Sequence, residues 1–279
     1  MKIEGKTFDE ERALYGLDGA SISDCRFDGP ADGESAMKEC RNLTVENCFF
    51  NLRYPFWHVT GATITGSEMT DKCRAALWYD SDITIVNSRM AGIKALRECS
   101  NVTLKDTQVI SPEFLWRCHG VHIENGSLES EYPMFECTDL TITGLSMKGK
   151  YSFQYVENAE IRDSVLDTKD AFWHSKNVTV YDSVIKGEYL AWYSENLRLV
   201  RCRIIGTQPL CYCKGLILED CTMEGTDLSF ERSEVNATVR GSIESIKNPY
   251  SGRICADSIG QIIMEPEYTD AERVEILCK

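Results

Sequence analysis

All five tryptophans of this chain, Trp57, Trp78, Trp116, Trp173 and Trp192, fall at one position of an internal 19-residue repeat. Take the apolar residue that opens each N-[LVI]-T-[LVI]-x-[ND]-[SC] unit as position 0. Ile83, Val102, Val121, Leu140, Ala159, Val178, Leu197 and Leu216 then follow one another at seven intervals of 19. Leu43 and Ala62 extend the array backwards, with two extra residues before Ile83, and Ala20 and Ala237 open looser copies. Self-similarity this strict predicts a solenoid, in which each rung buries its apolar face only by stacking on its neighbours.

Positions 0 and 2 are apolar, with Thr44, Thr63, Thr84, Thr103, Thr141 and Thr179 between them. That alternation reads as a short strand with aliphatics inward and threonine outward. Position 4 carries Asn47, Asn87, Asp106, Asn125, Asp163, Asp182 and Asp220, residue types that tolerate corner dihedrals. A second strand follows through position 7 (Phe50, Met69, Met90, Val109, Leu128). Position 9 gives Gly92, Gly149, Gly187, Gly206 and Gly225 at another corner. The third strand carries the aromatics, and Asn or Asp at position 18 closes the rung. Three strands and three corners per turn describe a parallel β-helix, all-β in class, with rungs about 4.8 Å apart.

The chain is expected to form one domain over 1–279: an N-terminal cap at 1–19, rungs over 20–242, and a C-terminal cap and tail at 243–279. Thr7-x-x-Glu10 reads as a capping box, so Phe8 through Tyr15 are expected to form a short amphipathic helix over the first rung. Ile262-Ile263-Met264 reads as a final strand, followed by an acidic, partly helical tail. The N-V-T-I-x-N-C rung resembles pectin-lyase-like right-handed β-helices. The Phe8–Tyr15 start, the short rungs, Asn248-Pro249-x-Ser251-Gly252 and Ala256-Asp257-Ser258-Ile259-Gly260 are similar to a bacterial family catalogued as a domain of unknown function. That resemblance covers essentially the whole chain. It implies the fold and its right hand, and no activity.

Formal charge is −14, which argues against nucleic-acid backbones and anionic membranes as partners. The first residues lack an apolar signal core and no apolar run spans a bilayer, so a cytoplasmic location is expected. The five N-x-[ST] sequons, beginning at Asn42, Asn101, Asn125, Asn177 and Asn236, then reflect repeat spacing rather than glycosylation. The 13 cysteines follow the repeat as well. Cys40, Cys99, Cys118, Cys137 and Cys213 sit three residues before position 0, and Cys25, Cys48, Cys202 and Cys221 sit at position 5. No CxxC pair occurs, so they read as buried packing rather than as a zinc site.

Position 13 of the third strand holds Phe56, Leu77, Leu96, Leu115, Met134, Phe153, Phe172, Ala191 and Leu210, without a charge. Position 14 holds Trp57, Trp78, Arg97, Trp116, Phe135, Gln154, Trp173 and Trp192, and an arginine there is costly in a dry interior. The tryptophans are therefore read as outward, although position 15 (His58, Tyr79, Glu98, Arg117, Glu136, Tyr155, His174, Tyr193) should then point inward unless the chain turns there. The competing arrangement stacks the tryptophans inside as an aromatic core.

If outward, Trp57, Trp78, Trp116, Phe135, Trp173 and Trp192, with Tyr79, Tyr155 and His174, form a platform for an oligosaccharide or polysaccharide. Arg97, Glu98, Arg117 and Glu136 interrupt the ladder and are the candidate catalytic group. Glu98 and Glu136, two rungs and roughly 9–10 Å apart at the backbone, stand near the range of an inverting glycosidase pair. Alternatively the cluster is a surface charge ladder that neutralises itself across rungs. No cofactor is expected; calcium would need clustered oxygens, for which Asp71, Asp80 and Asp82 are the only nearby acids. Two function classes follow: a carbohydrate-binding or carbohydrate-active protein using the third strand, or a non-catalytic scaffold.

Overall fold

Copies of the repeat pair side by side, parallel and in register. Ile83 lies opposite Val102 and Val102 opposite Val121, with Thr84, Thr103 and His122 aligned beside them. The computed structural model describes residues 1–278. The chain is a parallel β-solenoid of right-handed type with about 15 turns, in two compact units, Met1–Thr141 and Ile142–Lys279.

Inside the first unit, Val45, Ile64, Ile85, Leu104 and Ile123 are buried on the first side. Phe50, Met69, Met90, Val109 and Leu128 face them in register from the second side. The second unit repeats the plan with Met147, Leu166, Ile185, Ile204 and Met223. Each such aliphatic side chain contributes about 1.5–3 kcal/mol on burial. Rings stack inside as well: Phe27 on Phe50 and Phe153 on Phe172, each pair with centroids 4.7 Å apart.

Single left-handed residues make the corners. Asn47, Asn87, Asp106 and Asn125 have φ between 47° and 59° at position 4, and Asn42, Asp82, Asn101 and Asn177 lie at 52–57° at position 18. Asn and Asp adopt this conformation most readily after glycine. Their side chains also bond from rung to rung, Asn101 Nδ2 donating to Asp82 Oδ1 at 2.9 Å and Asn196 Nδ2 to Asn177 Oδ1 at 3.0 Å.

The N-terminal helix does not form. Thr7–Phe8 is a strand paired with Arg26–Phe27, and Phe8 stacks on Phe27 at 5.3 Å. The following turn bonds outward to the next rung, Leu14 N–H donating to Ala36 O at 2.8 Å and Gly16 N–H to Lys38 O at 3.0 Å. Arg12 at φ 53° and Gly16 at φ 69° both break a helical run. Glu10 Oε2 accepts from the neighbouring Asp9 N–H, so the capping box is not made. Residues 2–4 pair with 21–23, so this first segment is built from strands and turns rather than from a helix. At the other end, Ser258–Ile263 pairs with Ser242–Lys247, and Val274–Cys278 is a further strand beside Ser251–Ala256. The tail's only helical feature among the described residues is the 3-10 turn Ala271–Arg273.

All 13 cysteines are free thiols; Cys278 is exposed, Cys255 half-buried and the other eleven buried. Cys99 N–H points at Cys118 Sγ and Cys118 N–H at Cys137 Sγ, both at 3.4 Å, so the thiols serve as rungs of an internal ladder. Burial pushes Cys73 and Cys211 up to about 12 and Cys48 and Cys213 up to about 11. In the native protein at pH 8, an aromatic disulfide reagent should label Cys278 quickly, Cys255 slowly, and the rest only on unfolding. Rapid labelling of three or more thiols would refute the internal ladder.

Candidate functional site: the aromatic side

The third side differs between the two units. In the first it is a five-stranded parallel sheet of Phe56–Trp57, Leu77–Trp78, Ala95–Arg97, Glu113–Trp116 and Tyr132–Pro133. In the second it consists of turns, not the strand expected from the repeat. Phe172 and His174, at φ 60° and 55°, flank Trp173, as Leu115 and Arg117, at 52° and 54°, flank Trp116 in the first unit. Main-chain bonds still join the rungs, Tyr155 N–H to Trp173 O at 2.9 Å and His174 N–H to Trp192 O at 3.1 Å.

This backbone decides which way the aromatics point. Position 13 is buried throughout, from Phe56 to Leu210. Trp57, Trp78, Trp116, Phe135, Trp173 and Trp192 are half-buried on the outside, with Arg97 and Gln154 in the same column. Position 15 is also outward because its residues are left-handed: His58, Tyr79, Glu98, Arg117, Glu136, Tyr155, His174 and Tyr193 have φ between 53° and 62°. One left-handed residue interrupts the strand alternation, so two successive side chains face solvent.

In the first unit Trp57 stacks on Trp78 at 5.7 Å and His58 on Tyr79 at 5.2 Å, within 10° of parallel. Lys38 Nζ covers the far face of that slab, 4.3 Å from the Trp57 ring. In the second unit Tyr155, His174, Tyr193 and Tyr212 form a continuous column at 5.0, 5.0 and 4.8 Å. Trp173 and Trp192 stack behind it at 5.5 Å, and their indole N–H groups donate to Tyr189 O and Gln208 O. Ring faces are thus spent on one another, and the column presents ring edges to solvent. Tyr79, Tyr155 and Tyr193 are 42%, 47% and 44% exposed.

The charged interruption lies wholly in the first unit. Arg117 Nε reaches Glu136 Oε2 at 2.7 Å, while Arg97 lies 3.7 Å from Glu98, 3.5 Å from Glu113 and over the Trp116 ring at 5.2 Å. The hydrogen bond to Glu136 holds the Arg117 guanidinium firmly protonated. Each carboxylate therefore faces a guanidinium of its own cluster, and the geometry is that of linked ion pairs on a solvated surface.

The three aspartates proposed for calcium do not converge. Asp71 is exposed, Asp82 Oδ1 accepts from Asn101, and Asp80 is 1% exposed inside the cysteine column. No group of His, Cys, Asp or Glu suited to a metal occurs among the described residues. Asp80 Oδ1 accepts from Val59 N–H at 2.7 Å, its Oδ2 has no partner, and burial holds its carboxyl well above the ordinary range. Its sequence signal was an aspartate three residues before Ile83, where other rungs place cysteine. His119 Nδ1 lies 2.8 Å from Thr138 Oγ1, and His122 is exposed on the first side.

A family model described as "Protein of unknown function (DUF3737)" matches residues 1–277. The chain belongs to this family. No curated protein matches it. Among solved structures, this DUF3737 protein is similar to PfbA, a surface adhesin of Streptococcus pneumoniae, at 6% identity and a TM-score of 0.42, covering 95% of this chain and 81% of that one. It is also similar to the A-module of the mannuronan C-5 epimerase AlgE4 of Azotobacter vinelandii, at 8% identity and 0.30, covering 98% and 86%. A GH136 lacto-N-biosidase from Eubacterium ramulus matches at 9% and 0.31, covering 100% and 61%. Likenesses this remote carry no argument about activity.

Proposed function

We propose that this protein binds carbohydrate through the third side, reading hydroxyl groups with ring edges rather than stacking sugars on indole faces. The supporting observation is the outward column Tyr155–His174–Tyr193–Tyr212, whose rings are in line at one-rung intervals. Phenol and imidazole each combine donor and acceptor capacity, which suits the mixed hydroxyls of a glycan. Stacking is available only where a ladder stops. Tyr79 is followed by Glu98 in the next rung, and Tyr212 by Glu231, so a carboxylate stands beside each terminal ring.

Titrating intrinsic emission against neutral and acidic oligosaccharides tests this reading. Tyr193→Phe should weaken binding about five- to tenfold, as loss of one hydrogen bond of roughly 1–1.5 kcal/mol requires. Glu224→Gln, in the second-side strand beside Met223 and paired with Arg203, should leave it unchanged. Binding unaffected by Tyr193→Phe, or no saturable signal with any glycan, would defeat the proposal. A second reading, a non-catalytic scaffold, is favoured by the face-to-face stacking itself, which stabilises parallel rungs without any ligand. It predicts that Tyr193→Ala lowers stability and changes nothing else.

A further inference from the structure

In the second unit the outward rings Tyr155, His174, Tyr193 and Tyr212 repeat at 5.0, 5.0 and 4.8 Å, and each lies within 14° of parallel to the next. Their backbones share one conformation, with φ between 55° and 62°. Main-chain bonds fix the register, His174 N–H donating to Trp192 O at 3.1 Å and Tyr193 N–H to Cys211 O at 3.2 Å. The polar ring edges therefore form a straight row with one donor–acceptor group per rung. A ligand that satisfies the whole row must present hydroxyls at that interval along a straight line.

The first unit offers no such row. Its stack of His58 and Tyr79 ends after two rings, because Glu98 follows Tyr79 in the next rung. Two extra residues also enter there, since Phe50 and Met69 are 19 residues apart but Phe56 and Leu77 are 21 apart. They bulge as Asp71–Arg74 and form a cleft with Ile93 and Ile110. The bulge exposes Asp71, Lys72 and Arg74, charges of both signs that select no ligand.

Charge beside the row of the second unit is balanced. In the next outward column, Lys176 Nζ stands 3.6 Å from Glu157 Oε1 and Lys214 Nζ 3.6 Å from Glu195 Oε1. Gln154, Trp173 and Trp192 on the other flank carry no charge. Glu231, which follows Tyr212, is held by Lys247 at 3.1 Å. A polyanion gains little from cations already matched, and the chain's charge of −14 repels it.

We infer that this row binds a neutral, extended β-1,4-linked hexose glycan, one sugar per rung; the assignment rests on the carbohydrate reading of the third side. Equatorial bonds at C1 and C4 make such a chain a straight two-fold ribbon, whose rise per sugar is close to the rung interval of about 4.8 Å. Successive sugars turn over. The row then meets the C2 and C3 hydroxyls of one sugar and the C6 hydroxymethyl of the next, so each ring edge finds a hydroxyl. An α-1,4-linked chain coils and carries its hydroxyls out of line. A β-1,4-linked pentose chain is straight but lacks the hydroxymethyl, which leaves alternate rings without a partner.

Isothermal titration of the intact protein with cello-oligosaccharides of two to six residues tests the assignment, alongside maltotetraose, xylotetraose and tetragalacturonate. Affinity in the cello series should rise about three- to tenfold with each residue up to four and then level off, as one hydrogen bond gained per rung requires. Maltotetraose and xylotetraose should bind roughly tenfold more weakly than cellotetraose, and tetragalacturonate no better than they do. Tyr212→Phe, which keeps the ring stack, should erase the gain between three and four residues. Maltotetraose binding as tightly as cellotetraose, affinity independent of length, or a full fourth-residue gain in Tyr212→Phe would each overturn the inference. Saturable binding of a different glycan alone would overturn it while leaving carbohydrate binding in place. No saturable heat with any glycan would remove both.

Discussion

Replacing Asp80 by asparagine should stabilise the protein by about 1–3 kcal/mol at pH 8 and by almost nothing at pH 4, the range expected when a buried polar group is left uncompensated. Asp80 stands in the column of Val59 and Cys99, 1% exposed, with one oxygen bonded to Val59 N–H and the other without a partner. Burial raises its carboxyl well above the ordinary value, so the folded chain holds this proton more tightly than the unfolded chain does. Its contribution is intact below the ordinary carboxyl range near pH 4 and is lost as pH rises through the raised value. Asparagine keeps the acceptor for Val59 and supplies a neutral donor in place of the acid proton. Cys99, above it, is also held well above its ordinary value by burial, so it adds no charge in this window. Urea unfolding between pH 4 and 8.5 measures the effect, and parallel profiles for the two proteins would show that Asp80 carries no such proton.

Gly187→Ala should cost about 3–5 kcal/mol, combining overpacking with backbone strain. A Cβ at Gly187, where φ is 150°, would stand 1.7 Å from Thr168 O and 2.6 Å from its carbon, so the main chain itself must move. Gly225 occupies the same repeat position at φ 58° with nothing within 4 Å of the added carbon. Its alanine variant should lose only about 1–2 kcal/mol, the cost of the left-handed conformation. Denaturant titration of the pair separates the two causes. Equal losses would mean that conformation, not the approach of neighbouring rungs, sets the requirement for glycine.

The repeat made the rungs legible because a solenoid places equivalent residues in equivalent surroundings; Ile83, Val102 and Val121 share a spacing because they share a column. Arg97 and Gln154 were enough to turn the tryptophan column outward, since their cost in the interior outweighs anything the aromatics themselves signal. The left-handed residues of position 15 were not legible. Tyr79, Arg117 and Tyr193 share φ of 54–62° yet have no common side-chain chemistry, unlike Asn and Asp at the other corners. Ring orientation was hidden for a related reason, because the stacking partner of His174 is set by register and torsion, not by composition. The helix expected at Phe8–Tyr15 failed where pairing with the next rung supplied main-chain bonds that a capping box supplies only locally.

The bulge at Asp71–Arg74 carries a lesson about how such a chain can vary. Two residues are added there, yet Ile83 still faces Ala62 and Trp78 still faces Trp57. The disturbance ends within its own turn, because each neighbouring rung is held by its own buried columns and does not measure the length of the chain between them. A corner of this kind is a tolerant graft point. Sequence can be lengthened at that address, and new chemistry presented beside Ile93 and Ile110, while the ladder on either side keeps its alignment.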